Sequence, residues 1–395
     1  MNQAKHSNYA RETLVTLLGR NPEMHAGSVS PPVERTSTRV FSTLAELEKA
    51  HSTGKLSDFL GSTTPEWLEE AVAELEGGDS QVIASGTGMA SLAIVFLSVL
   101  EAGDHVLVPD SVFWPTRKVV DGLMRRLGIE ANYYDPMAGA AIEDEFRANT
   151  KLVLTESPGS NTFEVQDIPA ITEAAHAAGA LVATDNSWAT PLLFRPLEHG
   201  VDFSMCAVTK YLVGHSDVLM GTVATRPEHI QRLRETANQL GNSCAPDDAF
   251  MALRGLRTLA IRMRHFEEAG LRIAKWLDKR PEVKRVLHPA LPSCPGHEIW
   301  KRDFDGSSGL FSIVVEKLSR AQLERFLESL QLFKLGYSWG GFESLILPVY
   351  PQNERSVTHW KDDGTVIRVN VGLENPDDLE ADLDSAFRRL QEQKR

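Results

Sequence analysis

The chain has 395 residues, of which 42% are hydrophobic and 24% charged, and its net charge at pH 7 is −13. This composition predicts a folded protein of two large or three small domains, and it excludes a disordered or fibrous chain. The acidic charge without a basic cluster, the absence of an apolar run of about 18 residues, and an N-terminus unlike a signal peptide predict a cytoplasmic protein that binds neither nucleic acid nor membrane.

The first 60 residues differ from the rest and are predicted to form an N-terminal arm. Residues 29–39 contain Pro31 and Pro32 and several hydroxyl side chains, so this stretch is expected to be extended rather than helical. It either packs on another surface or remains a partly ordered terminus. A helix with one apolar face is predicted from Thr64 to the glycines at 77 and 78.

Short apolar runs alternate with helical stretches through the centre of the chain. Strands are predicted at residues 81–85, 105–110, 151–157, 180–186 and 201–210, and helices at 86–100, from about 116, and at 170–178. This alternation indicates βαβ units and therefore an α/β fold with a mostly parallel sheet. Ligands of such folds bind at the carboxyl ends of the strands.

The C-terminal part has a different pattern. One or two long helices are predicted over 246–277, followed by a strand at 308–315, a helix at 320–330, another apolar strand at 343–349 and a last helix after Pro376. This mixture predicts a smaller α+β domain. The chain is thus expected to divide into an arm (1–60), a large domain (61–255) and a small domain (256–395).

Three features at predicted strand ends could carry chemistry. The loop with Gly86, Thr87 and Met89 suits either an anion at a helix N-terminus or a plain tight turn. Asp185 either caps the next turn or accepts a hydrogen bond from a cationic heterocycle. Lys210 either extends its amine into solvent or, if buried, presents a neutral amine. Together the three match the phosphate, ring nitrogen and aldehyde of pyridoxal phosphate.

The remaining candidate residues are less specific. Three scattered cysteines, Cys206, Cys244 and Cys294, are too few for a disulfide framework or a zinc site. No metal site is expected, and His215 is interpreted as a packing residue.

Longer motifs extend this interpretation to nearly the whole chain, from about residue 29 to the C-terminus. The sequence resembles the Cys/Met-metabolism family of fold-type-I pyridoxal-phosphate enzymes, and within it the bacterial cystathionine β-lyases. The resemblance is carried by SPPVERTST, ELEGGD, SGTGMA, GDHVLV, ESPGSNTFEVQDIPAI, TDNSWATP, TKYLVGHSDV, RGLRTL, GYSWGGFESL and IRVNVGLENPDDLEADL. It implies the aspartate-aminotransferase-like fold and pyridoxal 5′-phosphate as cofactor.

The resemblance also implies roles for individual residues. Lys210 is similar to the lysine that joins the cofactor covalently and moves protons, and Asp185 to the partner of the pyridine nitrogen. The positions similar to other cofactor-binding residues are Gly86, Thr87, Met89, Phe113 and Thr209. The positions similar to substrate-binding residues are Ser338, Trp339 and Arg368, of which the arginine holds the α-carboxylate.

Several positions depart from the family pattern. A Tyr-x-Arg pair that reaches the neighbouring subunit's phosphate is missing near Ser57 to Phe59, and Lys55 is a candidate replacement. Phe113 stands where a tyrosine is expected to stack on the ring, and Trp114 follows it. Asn238 occupies the place of a further tyrosine. Drift and a shifted substrate both account for these changes.

Three functions remain open from the sequence. The first is a lyase of the cystathionine β-lyase type, which eliminates a thiol from an S-substituted cysteine. The second is γ-elimination, γ-replacement or a specialised amino-acid transformation with the same cofactor. The third is a weakly catalytic cofactor-binding relative with a regulatory role. The resemblance implies a homo-oligomer, either a dimer or a tetramer of dimers.

Overall fold

The structure, a computed structural model, describes residues 9–52 and 62–391. Its helices are α1 (Arg11–Leu17), α2 (Leu44–Ser52), α3 (Thr64–Glu76), α4 (Gly88–Val99), α5 (Trp114–Lys118), α6 (Ile168–Ala177), α7 (Thr190–Leu193), α8 (Pro227–Gln239), α9 (Pro246–Leu256), α10 (Leu259–Leu277), α11 (His297–Asp303), α12 (Arg320–Ser329), α13 (Pro351–Glu354) and α14 (Pro376–Gln391). Its strands are β1 (Gln81–Ser85), β2 (His105–Pro109), β3 (Glu130–Tyr134), β4 (Thr150–Glu156), β5 (Leu181–Asp185), β6 (Phe203–Cys206), β7 (Gly221–Thr225), β8 (Val283–Leu287), β9 (Leu310–Val315), β10 (Lys334–Leu335), β11 (Leu345–Val349) and β12 (Thr365–Asn370).

The first sheet confirms the predicted α/β fold. Within the described ranges it contains seven strands in the order β1-β7-β6-β5-β4-β2-β3, and only β7 runs antiparallel to its neighbours. The carboxyl ends of β1, β4, β5 and β6 therefore lie along one edge. β6 ends at Cys206, four residues before the predicted strand end, so Lys210 lies in the turn that follows.

Helix α4 is apolar on nearly all sides because it packs between the first sheet and another helix. Its sequence GMASLAIVFLSV is apolar on nearly every side, and residues such as Leu92 and Phe96 are fully buried. The helix packs against the sheet on one side and against α8 on the other. A helix between two layers buries most of its surface, which accounts for its missing polar face. The part of α4 that is only partly buried, at Met89, Ala93 and Leu97, is apolar as well.

The second sheet contains five strands of the described chain in the order β10-β11-β12-β9-β8, mostly antiparallel. It confirms the expected mixture of strands and helices in the C-terminal part. The predicted long helical region proves to be two helices, α9 and α10. α10 contributes Leu259 and Phe266 to one core and Ile273 and Leu277 to the other, so it joins the two sheets. No helix of the described ranges has the length and apolarity that crossing a membrane requires.

The N-terminal segment packs on its own chain. α1 buries Leu14 and Val15 in the core, and residues 31–41 form no helix or strand, as predicted for the proline-containing stretch. The Glu34 carboxylate accepts a 2.8 Å hydrogen bond from the Thr63 amide at the start of α3. Arg35 forms a 2.8 Å bond with Asp247 at the start of α9.

A buried carboxylate after β2 connects the two sheets. Asp110 is 1% exposed, and its oxygens accept a 2.6 Å bond from Arg117 and backbone bonds of 2.9, 3.0 and 2.6 Å from Ser356, Val357 and Thr358. Burial alone raises the pKa of Asp110, but the hydrogen bonds outweigh burial and lower it to about 2. The segment before β12 is thereby held against the first sheet.

The substitution Asp110→Asn is expected to lower the apparent free energy of unfolding by about 3 kcal/mol, because it leaves Arg117 as an unpaired buried charge. The measurement is urea unfolding followed by circular dichroism at fixed protein concentration, with the exposed Asp278→Asn as control.

The same pair gives a pH dependence. Because the folded pKa lies below the ordinary value, the stabilisation is present above pH 4 and is lost as the pH falls toward 2. In Asp110→Asn this acid-sensitive part should be missing. Equal stability of the variant and the wild type would show that the carboxylate is unimportant.

Candidate active site

The loop between β1 and α4 forms one wall of the site. Thr87 is the N-cap of α4, and its hydroxyl accepts a 3.0 Å bond from the Ala90 amide. The backbone amides of Gly88 and Met89 lie just before Ala90, in the first turn of α4. Like the first amides of any helix, they have no carbonyl acceptor within the helix. A Cβ atom on Gly88 would lie 3.0 Å from the Cβ atom of Ala207, so the glycine lets this loop approach the turn after β6. The wall suits an anion.

Asp185 lies at the end of β5, half-buried. Its Oδ1 accepts a 2.9 Å bond from the Ser187 amide, as a residue that caps the turn would. The Ser187 hydroxyl accepts a 2.7 Å bond from the Ala207 amide and so links the ends of β5 and β6. Burial raises the pKa of Asp185, while the Ser187 hydrogen bonds and the charge of Lys210 oppose that effect. The carboxylate therefore gains from a cationic partner.

A second carboxyl group lies beside it on β4. Glu156 is the register partner of Asp185, and its Oε2 accepts a 2.9 Å bond from the Phe113 amide. Burial, followed by the negative charge of Asp185, raises the pKa of Glu156 well above its ordinary value. The bond to Glu156 fixes the backbone of Phe113, a residue that is 38% exposed.

The turn that bears Lys210 is held in place by contacts with α9 and α10. Arg262 of α10 donates a 2.7 Å bond to the Tyr211 carbonyl and further bonds to the carbonyls of Leu212 and Gly255. A Cβ atom on Gly255 would lie 2.4 Å from the Val213 carbonyl oxygen. The turn thus rests directly on two helices, which orients Lys210. Beside it, the Thr209 hydroxyl is bonded to the backbone of Met220.

The amine of Lys210 points into the protein. Its Nζ donates a 2.9 Å bond to the Ser338 hydroxyl and lies 5.2 Å from the centre of the Trp339 ring. Burial, and next the positive charge of Arg368, lower the pKa of Lys210 to about 8, although Asp185 opposes the shift. The solvent-exposed alternative is therefore wrong. A lysine in this state has a substantial neutral fraction near physiological pH and can act as nucleophile or base.

Arg368 of β12 supplies a buried cation. Its Nη2 donates a 2.6 Å bond to the Tyr337 carbonyl and a 3.3 Å bond to the Ser338 carbonyl. Burial lowers the pKa of Arg368 to about 10. Gly340, with φ of +81°, brings the loop before β11 against Lys210, because a Cβ atom there would lie 3.1–3.2 Å from that residue's backbone.

The structure thus joins most of the predicted site residues by contacts. The loop at 86–89 touches Ala207, and the connected set comprises Phe113, Asp185, Thr209, Lys210, Ser338, Trp339 and Arg368. Asn238 is exposed in the last turn of α8, and its place at the pocket stays a prediction. Lys55, Ser57 and Phe59 lie outside the described residues. Within those residues, no group of three or more His, Cys, Asp or Glu side chains is arranged for a metal ion.

Sequence reasoning missed four residues of this region. Glu156 ends an apolar strand as Asp185 does, so the same criterion could have found it. Ser187 lies in the motif TDNSWATP, in which Asp185 is the predicted site residue. Gly340 lies in GYSWGGFESL, in which Ser338 and Trp339 are the predicted ones. Glu354 of α13 faces Arg368, but it stands in the polar stretch PQNE, which gives no signal of burial.

These residues fit pyridoxal phosphate. The helix N-terminus supplies an anion site, the desolvated Asp185 suits a protonated ring nitrogen, and the partly neutral amine of Lys210 suits an aldehyde. Phe113 is linked through Glu156 to the end of β5 and is partly exposed, so its aromatic side chain is available to a planar ring.

Comparison with known proteins agrees with this geometry. "Putative cystathionine beta-lyase" of Rhizobium johnstonii is 50% identical over 95% of each chain. "Cystathionine beta-lyase MetC" of Escherichia coli is 40% identical over 96% of this chain and 98% of its own. An L-alanine/L-glutamate racemase of Wolbachia pipientis is 38% identical over 96% and 97%.

Among solved structures, metB from Corynebacterium glutamicum superposes with a TM-score of 0.89 at 29% identity, covering 97% of this chain and 99% of that one. The family model for Cys/Met metabolism PLP-dependent enzymes matches residues 12–388. The chain therefore belongs to the family of Cys/Met-metabolism enzymes that depend on pyridoxal phosphate.

Proposed function

We propose that this enzyme cleaves the Cβ–S bond of an S-substituted cysteine, such as cystathionine, by β-elimination to a thiol, pyruvate and ammonia. The observation that carries the proposal is the buried Lys210 amine, which donates a 2.9 Å hydrogen bond to the Ser338 hydroxyl. The charges of Asp185 and Arg368 act on the pKa of this amine in opposite directions. This arrangement suits proton removal from the Cα of an amino acid. The names of relatives at 40% identity and above support elimination at Cβ.

The cofactor would supply an aldehyde for a covalent link and a ring that stabilises negative charge at Cα. The residues proposed to hold it are Gly86, Thr87, Met89, Phe113, Asp185, Thr209 and Lys210. The amides at the α4 N-terminus would hold the phosphate, and Asp185 would accept a hydrogen bond from the ring nitrogen. Phe113 would offer the cofactor an aromatic face but no acid or base.

The substrate is oriented by residues of the second sheet. Arg368 binds the α-carboxylate with its planar guanidinium group, and the Ser338–Trp339 segment orients both that arginine and Lys210. Lys210 takes the Cα proton once its amine is free and neutral. The electron pair left at Cα expels the thiolate from Cβ, the thiolate takes up a proton, and water hydrolyses the remaining aminoacrylate to pyruvate and ammonia.

The assembly and location belong to the same proposal. The enzyme acts in the cytoplasm as a homo-oligomer, and its chain divides into the arm, large domain and small domain bounded near 60 and 255. The first half of α10 packs in one core and its second half in the other, which supports a change of domain close to this helix.

Product identification tests the proposed reaction. Purified enzyme with added pyridoxal phosphate is expected to form pyruvate from L-cystathionine, whereas γ-elimination would give 2-oxobutyrate. Lys210→Arg should abolish turnover because a guanidinium group stays protonated, and the exposed Lys275→Arg should keep it. Formation of 2-oxobutyrate alone, or full turnover by Lys210→Arg, would refute the proposal.

Racemisation is the second candidate, and the 38% identical racemase favours it. It begins with the same proton removal but returns the proton to the opposite face. Chiral chromatography of L-alanine and L-glutamate after incubation separates the two reactions. Formation of D-amino acids without pyruvate from cystathionine would establish racemisation instead.

Arg368→Gln is expected to raise KM for the amino acid by about tenfold to a hundredfold, with a smaller change in kcat, because a charge-assisted carboxylate contact is lost. Arg368→Lys should lie between the variant and the wild type, since it keeps charge but not the planar fork. The exposed Arg264→Gln serves as control. An unchanged KM in Arg368→Gln would contradict the proposed role.

The ionisation of Lys210 predicts a pH dependence for cofactor-free protein. Only the neutral amine condenses with an aldehyde, so the rate of pyridoxal-phosphate incorporation should rise with pH through about 8. In Arg368→Gln the midpoint should move upward, because a like charge that lowers the pKa of Lys210 is removed. Stopped-flow absorbance measures both profiles. Comparing the two proteins cancels the cofactor's own ionisation, and coincident profiles would contradict the coupling.

A further inference from the structure

A polar pair that is acted on by the charge of Arg368 has no part in the steps above. Glu354 ends α13, the short helix between β11 and β12, and its carboxylate is half-buried. Asn161, in the loop after β4, donates a 3.2 Å hydrogen bond from Nδ2 to Glu354 Oε2. The pair joins the loops of the two sheets next to Arg368, whose charge acts on Glu354.

The neighbouring cations have other acceptors. Arg117 is bonded to Asp110 at 2.6 Å, and Arg355 to Glu164 at 2.5 Å. Arg368 donates to two backbone carbonyls and is the proposed partner of the α-carboxylate. Among the described residues, none of these guanidinium groups lies within ion-pair distance of Glu354. Burial raises the pKa of Glu354, and the Asn161 bond and these charges oppose that effect.

Asn161 presents a second acceptor at the same place. Its Oδ1 is buried and has no hydrogen-bond partner among the described residues. When Glu354 is ionised, the opposite orientation of the amide would set its oxygen against the carboxylate, so the observed orientation is favoured. The missing partner must therefore be a donor. Buried acceptors are almost always satisfied. An unsatisfied one beside a carboxylate on which the charge of Arg368 acts points to a ligand group that donates.

We propose that Glu354 and Asn161 form a subsite for an ammonium group on the side chain of the substrate. This rests on the proposed function and narrows its substrate class to S-substituted cysteines whose leaving thiol carries an amino group, as that of cystathionine does. An ammonium group has three donors and a positive charge, so it satisfies both the carboxylate and the Asn161 oxygen. A neutral S-alkyl chain would leave both acceptors unsatisfied.

Binding of two uncleavable amino acids tests the subsite without turnover. 2,7-Diaminosuberate has the carbon skeleton of cystathionine with a methylene in place of sulfur, and 2-aminosuberate lacks only its distal amino group. By titration calorimetry, the wild-type holoenzyme is expected to bind the diamino compound about tenfold or more tightly than the monoamino compound. Glu354→Gln, which keeps shape but removes charge, should reduce this ratio to near one.

Two further variants test the role of Asn161 and provide a control on α13. Asn161→Gly suits the φ of +65° at this position and should also lower the ratio, because it removes the orphaned oxygen. Gln352→Ala, at an exposed position of α13, should leave the ratio unchanged. A ratio of one in the wild type, or an unchanged ratio in Glu354→Gln, would overturn the subsite.

The outcome is separable from that of the proposed function. If cystathionine yields no pyruvate while the binding ratio follows Glu354, the reaction is wrong and the ammonium subsite stands. If pyruvate forms but Glu354→Gln leaves the binding ratio of the two amino acids unchanged, the proposed reaction stands and the subsite is wrong.

Discussion

The close approach of the loop before β11 to the backbone of Lys210 is the constraint on which the site depends. The two segments touch because Gly340 has no side chain and adopts a left-handed conformation, so any Cβ there would press on the turn of Lys210. That contact places the Ser338 hydroxyl on the lysine amine and brings Arg368 near enough to shift its pKa. Both sheets therefore contribute to one reactive group, and neither sheet alone would form it.

The charges of the pocket are arranged for ligands rather than for one another. Glu156 and Asp185 lie side by side on neighbouring strands, and burial raises the pKa of each. Lys210 and Arg368 repel each other, and burial lowers both of their pKa values. Such arrangements cost stability, and they cluster where a bound group completes the electrostatics. By contrast, the buried carboxylates that hold the surrounding loops are neutralised within the protein. Asp110 forms an ion pair with Arg117, and Glu164 forms one with Arg355.

The sequence predicts the parts of the fold that follow from hydrophobic periodicity and strand ends. Apolar runs located β1, β2, β4, β5 and β9, and residues at strand ends led to Asp185 and Lys210. It missed β7, whose small residues GTVAT give little apolar signal, although this strand separates β1 from β6. Glu354 could not be predicted, because its role depends on where a four-residue helix lies relative to Asn161, and no local pattern encodes that distance. The resemblance, not periodicity, identified Arg368 and Ser338.

The departures from the family pattern acquire a physical meaning in this setting. The backbone of Phe113 is held by the Glu156 carboxylate through its amide, so the ring can lose a phenol without moving the chain. A change at that position therefore alters the chemistry offered to the substrate and leaves the fold intact. Glu354 ends the short helix α13 and Asn161 lies in a loop, and segments between the main elements tolerate substitution better than strands do. The proposed reaction requires the buried amine and its surroundings, whereas substrate selectivity can change through such segments.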